Sequence, residues 1–152
     1  AEDAEAWVEM FNQTFVDHWN HHPTTVADFH HRLASSLYDP HLDLVVEAPD
    51  GVLSCFGFSE IDRAENAATG RQRGHVCLLG TRRGYRRLGL ARSLLLESLH
   101  RIKAFGMTTA TIGVDTQNPL GALRLYESVG FKRDRSSTVF RKMLLGNEQT
   151  PC

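Results

Sequence analysis

A strand, a glycine-rich turn and a helix follow one another in residues 76–103, and a second strand comes next at residues 108–115. The apolar run VCLL at residues 76–79 has the length and composition of a buried strand. Apolar residues then recur at helical spacing up to residue 103, and residues 108–115 are rich in β-branched side chains. Two strands joined through a helix lie parallel, with a right-handed crossover. This segment therefore predicts a parallel strand pair around which the rest of the chain is arranged.

The remaining elements extend that pair into a mixed sheet. Alternation and turn residues predict strands at residues 42–48, 52–61 and 75–81, with the turn PDG at residues 49–51 and a polar loop at residues 62–74. Helical spacing predicts helices at residues 3–19 and 25–37, and a third that starts at the N-cap Asn118 and stops at Gly130. Residues 131–134 and 137–145 predict a last hairpin. The predicted fold class is α+β, three-layered, with a mostly antiparallel sheet, one central parallel pair and about four flanking helices.

The turn itself, TRRGYRRLGLA at residues 81–91, predicts an anion site. A helix N-terminus carries unpaired N–H groups and a partial positive charge. Glycine allows close approach of the backbone to a ligand, and arginine adds charge-assisted hydrogen bonds to phosphate. A solvated basic turn is the simpler alternative. Two arginine pairs and two glycines at one strand-to-helix junction favour phosphate binding.

Charge is unevenly distributed along the chain. The net charge is −1, but residues 1–70 carry thirteen acidic and two basic residues, whereas residues 71–103 carry nine basic and one acidic. This division suits a site for an anionic cofactor beside a site for a cationic substrate. A nucleic-acid patch is another reading of the arginines, but Tyr85 is the only aromatic residue among them, which is too few for base stacking. We therefore expect no nucleic-acid partner, and no apolar run reaches the length of a membrane span.

The cysteines and histidines predict neither disulfides nor a metal site. Cys55, Cys77 and Cys152 are odd in number and have no metal-ligand spacing, and the first two lie in apolar strands, which favours a reducing, cytoplasmic location. His18 and His22 are spaced for one helix face, but no further ligand completes a set. Lining of an acceptor site, together with Trp19, is the alternative function for this segment.

Two motifs make the chain resemble the GNAT superfamily of N-acetyltransferases. RRLGLA at residues 86–91 is similar to that family's pyrophosphate loop for acetyl-CoA, and NPLGALRLYESVGF at residues 118–131 is similar to its Asn–Ala–Tyr–Gly–Phe segment. Within the superfamily, GHVCLLGT at residues 74–81 and VDTQN at residues 114–118 resemble the second domain of mycothiol synthase and related tandem acetyltransferases. The resemblance implies a sheet splayed around a CoA site. It also implies one acetyltransferase domain at residues 1–145 with a tail at residues 146–152, and the family's first strand is missing, as in a C-terminal half of a longer protein.

The resemblance also implies which residues bind acetyl-CoA, and no metal. Backbone groups in the strand before the loop pair with the pantetheine arm, and those of the loop and first helical turn hold the pyrophosphate. Asn118 binds the arm and Tyr126 reaches the sulfur. The implied cofactor-binding residues are Leu79, Gly80, Thr81, Arg86, Arg87, Leu88, Gly89, Leu90, Ala91, Asn118 and Tyr126.

The implied reaction is direct attack of an amine on the thioester, which requires an acid for the thiolate and a base for the ammonium. Tyr126 is the predicted acid, because its phenol is a reversible donor. Related enzymes often carry Glu early in the strand before the loop, and His75 takes that place here. His75, which alternation places on one face with Cys77, Leu79 and Thr81, is the predicted base. Asp115, Glu60 and water remain open alternatives, and a structural role for His75 does too.

The implied function is an acetyl-CoA-dependent N-acetyltransferase that acts on a small or amino-acid-like amine. A non-catalytic acyl-CoA-binding domain of a tandem enzyme and an acetylase of protein N-terminal amines are the alternatives. A second domain of the same family, or a homodimer, is the expected protein partner. The acceptor and the oligomeric state are not encoded in any readable motif.

Overall fold

The computed structural model describes residues 2–16, 22–114, 121–138, 140 and 142. Five α-helices and four strands are found among these residues. Their order is α1 (Glu2–Phe15), α2 (Val26–Leu33), a short 3-10 helix (Pro40–Leu42), β1 (Asp43–Glu47), β2 (Leu53–Glu60), α3 (Arg63–Thr69), β3 (Arg73–Thr81), α4 (Leu90–Ala104), β4 (Thr109–Ile112) and α5 (Ala122–Ser128). None of the described helices is both long and apolar enough to cross a bilayer.

The four strands form one sheet in the order β1-β2-β3-β4. The β1–β2 and β2–β3 pairs are antiparallel, and β3–β4 is parallel through α4. The β1–β2 turn closes as predicted, with Gly51 at φ +80° and its N–H donating to the Ala48 carbonyl at 2.9 Å. The predicted mixed sheet with one parallel pair is confirmed.

The sheet is covered on both faces. One face packs against α4, where Gly57 and Gly74 let Leu94 and Ile102 approach the sheet backbone. The core on this face, which we call the α4 core, consists of Leu42, Ile61, Val76, Leu95, Ile102 and Tyr126. The opposite face packs against α1 through an aromatic core made of Trp7, Met10 and Phe56 with flanking rings from both N-terminal helices.

Helix caps explain two differences from the predicted elements. The predicted loop at residues 62–74 contains α3 instead, because the Asp62 carboxylate accepts from the Glu65 N–H at 2.7 Å and Gly70 ends the helix at φ +67°. The Thr25–Asp28 capping box opens α2 as predicted. However, α2 ends at Leu33 rather than Leu37, and beyond it the Ser35 hydroxyl accepts from the backbone in place of a helical bond.

The predicted strand at residues 131–134 was wrong. Residues 131–138 form neither helix nor strand. The Phe131 N–H donates to the Tyr126 carbonyl at 3.1 Å and Gly130 has φ +96°, so this segment closes the C-terminus of α5 as a Schellman motif. The second strand of that hairpin, at residues 137–145, lies largely outside the described residues. The predicted helix start at Asn118 lies wholly outside them.

Gly80 in β3 is explained by packing of α1. A Cβ at this position would lie 2.5 Å from the Thr14 methyl group and 3.0 Å from the Phe56 ring. The glycine therefore lets the helix lie close against the strand. The β-bulge of this strand lies at Cys77 instead.

A buried ion pair joins α2 to β1. Arg32 Nη2 lies 3.0 Å from Asp43 Oδ2, and the two side chains are only 16% and 10% exposed. The guanidinium also lies 4.3 Å from the centroid of the Trp7 ring and 4.8 Å from that of Phe58. Burial raises the pKa of Tyr38, and the charge and hydrogen bonding of Asp43 add to the shift. One arginine thus links both N-terminal helices to the sheet through charge and ring contacts.

Candidate active site

β3 and β4 separate halfway along β3. Their ladder runs from Arg73 opposite Thr109 to Val76 opposite Ile112. β3 then continues to Thr81, whereas β4 ends at Ile112. On this edge no described strand pairs with residues 77–81, which leaves the backbone groups that point away from β2 open to another extended molecule, apart from the Thr81 carbonyl, which accepts from Arg86. We call this gap the strand opening, and it contains three predicted cofactor contacts: Leu79, Gly80 and Thr81.

A β-bulge lies at the start of the strand opening. The β2–β3 register shifts there and leaves Cys77 without a partner. Val76 belongs to the α4 core, and Leu79 packs against the same core. An unbroken strand would place residues 76 and 79 on opposite faces, so the extra residue at Cys77 reverses the alternation.

The bulge moves His75 away from the face that alternation assigned to it. His75 lies on the face that α1 and α2 flank, whereas Leu79 and Thr81 lie on the α4 face. The prediction that His75, Cys77, Leu79 and Thr81 share one face was therefore wrong. His75 thus lies on a different face of the sheet from Leu79 and Thr81.

The turn after β3 has the backbone of an anion-binding loop. Gly84, Arg87 and Gly89 have φ angles of +95°, +68° and +82°. Arg87 is the only described residue other than glycine with a positive φ. Left-handed residues next to right-handed ones turn successive N–H groups to the same side, which forms a concave site for an anion.

The N-terminus of α4 opens onto the same loop. Gly89 is the N-cap and no side chain caps the helix. Leu90 and Ala91 occupy the first turn, where N–H groups have no partner within a helix. The positive end of a 15-residue helix thus points to the loop that follows β3. Leu88, between the two left-handed residues, is 67% exposed.

Two side-chain bonds tie this loop to distant parts of the chain. The Tyr85 hydroxyl donates to Asp50 Oδ2 at 2.6 Å, and Arg82 Nη2 lies 2.7 Å from Glu9 Oε1. The hydrogen bond from Tyr85 lowers the pKa of Asp50, and the same bond raises the pKa of Tyr85. Sequence reasoning missed these four residues. A tyrosine inside a turn of arginines and glycines was the one available signal.

Arg86 is directed toward the protein rather than away from it. Its Nε donates to the Thr81 carbonyl at 3.2 Å and its Nη2 to the Thr14 carbonyl at 3.0 Å. These bonds hold the end of β3 against the C-terminal turn of α1. Contact of Arg86 with a pyrophosphate stays a prediction, as does that of Arg87, which is exposed.

His75 is the exposed member of a polar cluster beside the bulge. Its Nδ1 lies 2.9 Å from the Thr111 hydroxyl, and Glu60 is its partner in the β2 register. Burial and the charge of the Glu60 carboxylate raise the pKa of Cys77 to about 12. The Cys77 thiol is therefore protonated near neutral pH and is not a nucleophile.

Tyr126 lies on the other face of the sheet, in the α4 core. It lies on α5, is 9% exposed, and belongs to the α4 core together with Val76. Burial raises its pKa, so the phenol stays protonated and able to donate. Within the described residues its hydroxyl has no hydrogen-bond partner. Tyr126 and His75 thus lie on opposite faces of the sheet.

Several predicted residues fall outside the described residues: Asp115, Asn118, His18 and Trp19. Their roles stay predictions. Among the described residues, no group of three His, Cys, Asp or Glu side chains is placed to hold a metal ion. The cavity of about 310 Å³ between Tyr38 and Arg63 is lined by no residue of β3 or of the loop that follows it.

Comparison with known proteins agrees with this geometry. The model of the acetyltransferase (GNAT) family matches residues 4–131. The mycothiol acetyltransferase of Acidothermus cellulolyticus is 29% identical over 148 residues, which are 92% of this chain and 45% of that protein. The mycothiol acetyltransferase of Kineococcus radiotolerans is 34% identical over 133 residues, 88% of this chain and 40% of the other. The chain thus spans less than half the length of these curated relatives, and the predicted likeness to them is confirmed.

The fold is shared with solved acetyltransferases. The structure of AAC(6')-Iy in complex with the bisubstrate analogue CoA-S-monomethyl-acetylneamine superposes with a TM-score of 0.69 at 18% sequence identity. The match covers 93% of this chain and 92% of that one. At this identity the likeness supports the fold alone.

Proposed function

The chain belongs to the GNAT family of acetyltransferases, and we propose that it transfers an acetyl group from acetyl-CoA to the primary amine of a small molecule. One observation carries the proposal: the strand opening leads directly into a loop of left-handed residues and the uncapped N-terminus of α4. An extended arm that ends in a pyrophosphate matches that arrangement, because the free strand edge supplies amide partners and the helix end attracts the anion.

Binding is assigned to backbone groups more than to side chains. Leu79, Gly80 and Thr81 would pair with the pantetheine arm. The N–H groups of residues 87–91 would hold the pyrophosphate, and Asn118 would bind the arm. The exposed Arg87 adds positive charge nearby, whereas Arg86 acts first by fixing the loop to β3 and α1.

The catalytic roles follow from the two faces of the strand opening. The acceptor amine approaches from the face of His75, whose exposed imidazole takes the ammonium proton. Nitrogen attack on the thioester carbonyl forms the C–N bond as the C–S bond breaks. Tyr126, on the face of α4, then donates its proton to the departing thiolate, and the raised pKa keeps that proton in place until it is needed.

A thiol-release assay with acetyl-CoA and a panel of amines tests this function. Tyr126→Phe removes the hydroxyl but keeps the ring in the α4 core. We expect kcat to fall by about 10²-fold or more, with an unchanged Kd for acetyl-CoA. Unchanged kcat in this variant would remove Tyr126 from the mechanism.

Two alternatives are separated by the same assay. A non-catalytic acyl-CoA-binding domain is the second candidate, because His75 stands where related enzymes often carry Glu. Saturable acetyl-CoA binding without turnover on any amine would support it. Peptides with free N-terminal amines belong in the panel, because turnover on them alone would identify a protein N-terminal acetylase. A cytoplasmic location and pairing with a second acetyltransferase domain are part of the proposal.

A further inference from the structure

Three polar residues lie in one row across three strands. Glu60 of β2 is the register partner of His75 of β3, and His75 is the partner of Thr111 of β4. Register partners project from the same face of a sheet. The His75 Nδ1–Thr111 Oγ1 distance of 2.9 Å confirms this for the second pair. A carboxylate, an imidazole and a hydroxyl are therefore neighbours at the level where β3 and β4 part.

This row lies on a part of the sheet that the N-terminal helices leave open. The aromatic core under α1 covers Phe56 and Leu78, which are nearer the other end of their strands. The His75 side chain is exposed, and Glu60 and Thr111 are half-buried. A small molecule can thus reach the row from solvent, on the face opposite Tyr126.

Glu60 is a half-buried carboxylate without an ion pair among the described residues, unlike Asp43, and without a helix to cap, unlike Asp39 and Asp62. Asp43 pairs with Arg32, and the carboxylates of Asp39 and Asp62 accept from backbone N–H groups at the start of a helix. No described basic side chain forms an ion pair with Glu60. A half-buried carboxylate without a counter-ion leaves an unbalanced negative charge on an open surface, and a cationic ligand can compensate it.

We propose that Glu60 binds the ammonium group of the acceptor, which defines the acceptors as amines that are cationic at neutral pH. The inference rests on the proposed function. The ammonium group held by Glu60 passes one proton to His75 Nε2, while Nδ1 is held by Thr111, and the exposed imidazole returns it to solvent. The freed amine attacks the thioester, the second proton passes from nitrogen to His75 Nε2, which has returned the first to solvent, and a proton from solvent replaces the one that Tyr126 gives to the sulfur. Glu60 is thus an acceptor-binding residue and is neither the base nor the acid.

Pairs of amines that match in shape but differ in charge test the proposal. Phenethylamine and propylamine are cationic at neutral pH, whereas their isosteres O-benzylhydroxylamine and O-ethylhydroxylamine are uncharged. We expect Glu60→Gln to lower kcat/KM for the cationic members by about 10- to 100-fold, the range for loss of a charged hydrogen bond. The uncharged members should change by less than about threefold, and the Kd for acetyl-CoA should not change. Glu47→Gln, on the neighbouring strand β1 and exposed, is the matched control and should change neither.

The outcomes are distinguishable. Three outcomes would overturn the role of Glu60 while leaving the acetyltransferase function intact. In two of them, Glu60→Gln lowers kcat/KM equally for both members of a pair or for neither. In the third, the wild-type protein acetylates the uncharged amines alone. Saturable acetyl-CoA binding with no turnover of any of the four amines by the wild-type protein would overturn the proposed function and this inference with it.

Discussion

Replacing Arg32 by methionine should destabilise the fold by about 3 kcal/mol. The variant keeps a long apolar side chain but leaves the Asp43 carboxylate, 10% exposed, without its cation. Removing one partner of a buried ion pair costs about 3–5 kcal/mol, and the lost cation over the Trp7 ring adds about 1 kcal/mol. Packing of the methionine side chain against the Trp7 and Phe58 rings offsets part of this cost. The free energy of unfolding of a domain of this size is about 5–15 kcal/mol, so this destabilisation is a large part of it.

Urea unfolding followed by far-UV circular dichroism measures this change. Tryptophan fluorescence is unsuitable, because Trp7 contacts the replaced guanidinium. The double variant Arg32→Met/Asp43→Leu should lose much less than the two single variants together, since apolar residues replace a buried ion pair at little cost. The exposed pair Arg101–Glu97, with side chains 38% and 50% exposed, is the control, and Glu97→Gln should change stability by less than about 0.5 kcal/mol.

Two results would refute the reasoning. A loss below about 1 kcal/mol in Arg32→Met would show that the pair is solvated despite its burial. Additive losses in the double variant would show that Arg32 and Asp43 act independently, so that the 3.0 Å contact between them carries no coupling.

Two further predictions concern the loop and the bulge. Tyr85→Phe should raise the Kd for CoA roughly three- to tenfold at unchanged stability, because it removes the hydrogen bond that holds the loop. Adding Asp50→Asn to the same chain should raise the Kd little further, since it removes the same bond. Additive increases of the Kd in isothermal titration calorimetry would contradict this. Cys77 keeps its proton to about pH 12 when folded, whereas an unfolded thiol ionises near about pH 8.5, so the unfolding free energy should fall as pH rises above about 9. Cys77→Ser should show a smaller fall in urea midpoints between about pH 7.5 and 10, and equal slopes would rule out the thiol.

The sequence by itself determined the elements and their class. The apolar run before the arginine turn, the helical spacing after it and the PDG turn each encode their structure locally, and the structure has β3, α4 and the β1–β2 hairpin at those places. The capping signals of α3 are also present in the sequence as Asp62, Glu65 and Gly70, although the polar composition of residues 62–74 predicts a loop. Such features are predictable because neighbouring residues satisfy the hydrogen bonds that define them.

Tertiary structure alone decided which side chains meet. The bulge at Cys77 changes the face of the sheet on which each later side chain of β3 lies. No residue type near Cys77 predicts the extra residue. Tyr85 and Asp50 are 35 positions apart, and His75 and Thr111 are 36 apart, so each contact depends on strand pairing that spacing does not encode. The same reason applies to Glu60, whose place beside His75 follows from the β2–β3 register. Local hydrogen bonding fixes an element within a few residues, whereas the geometry of a site depends on how distant strands align.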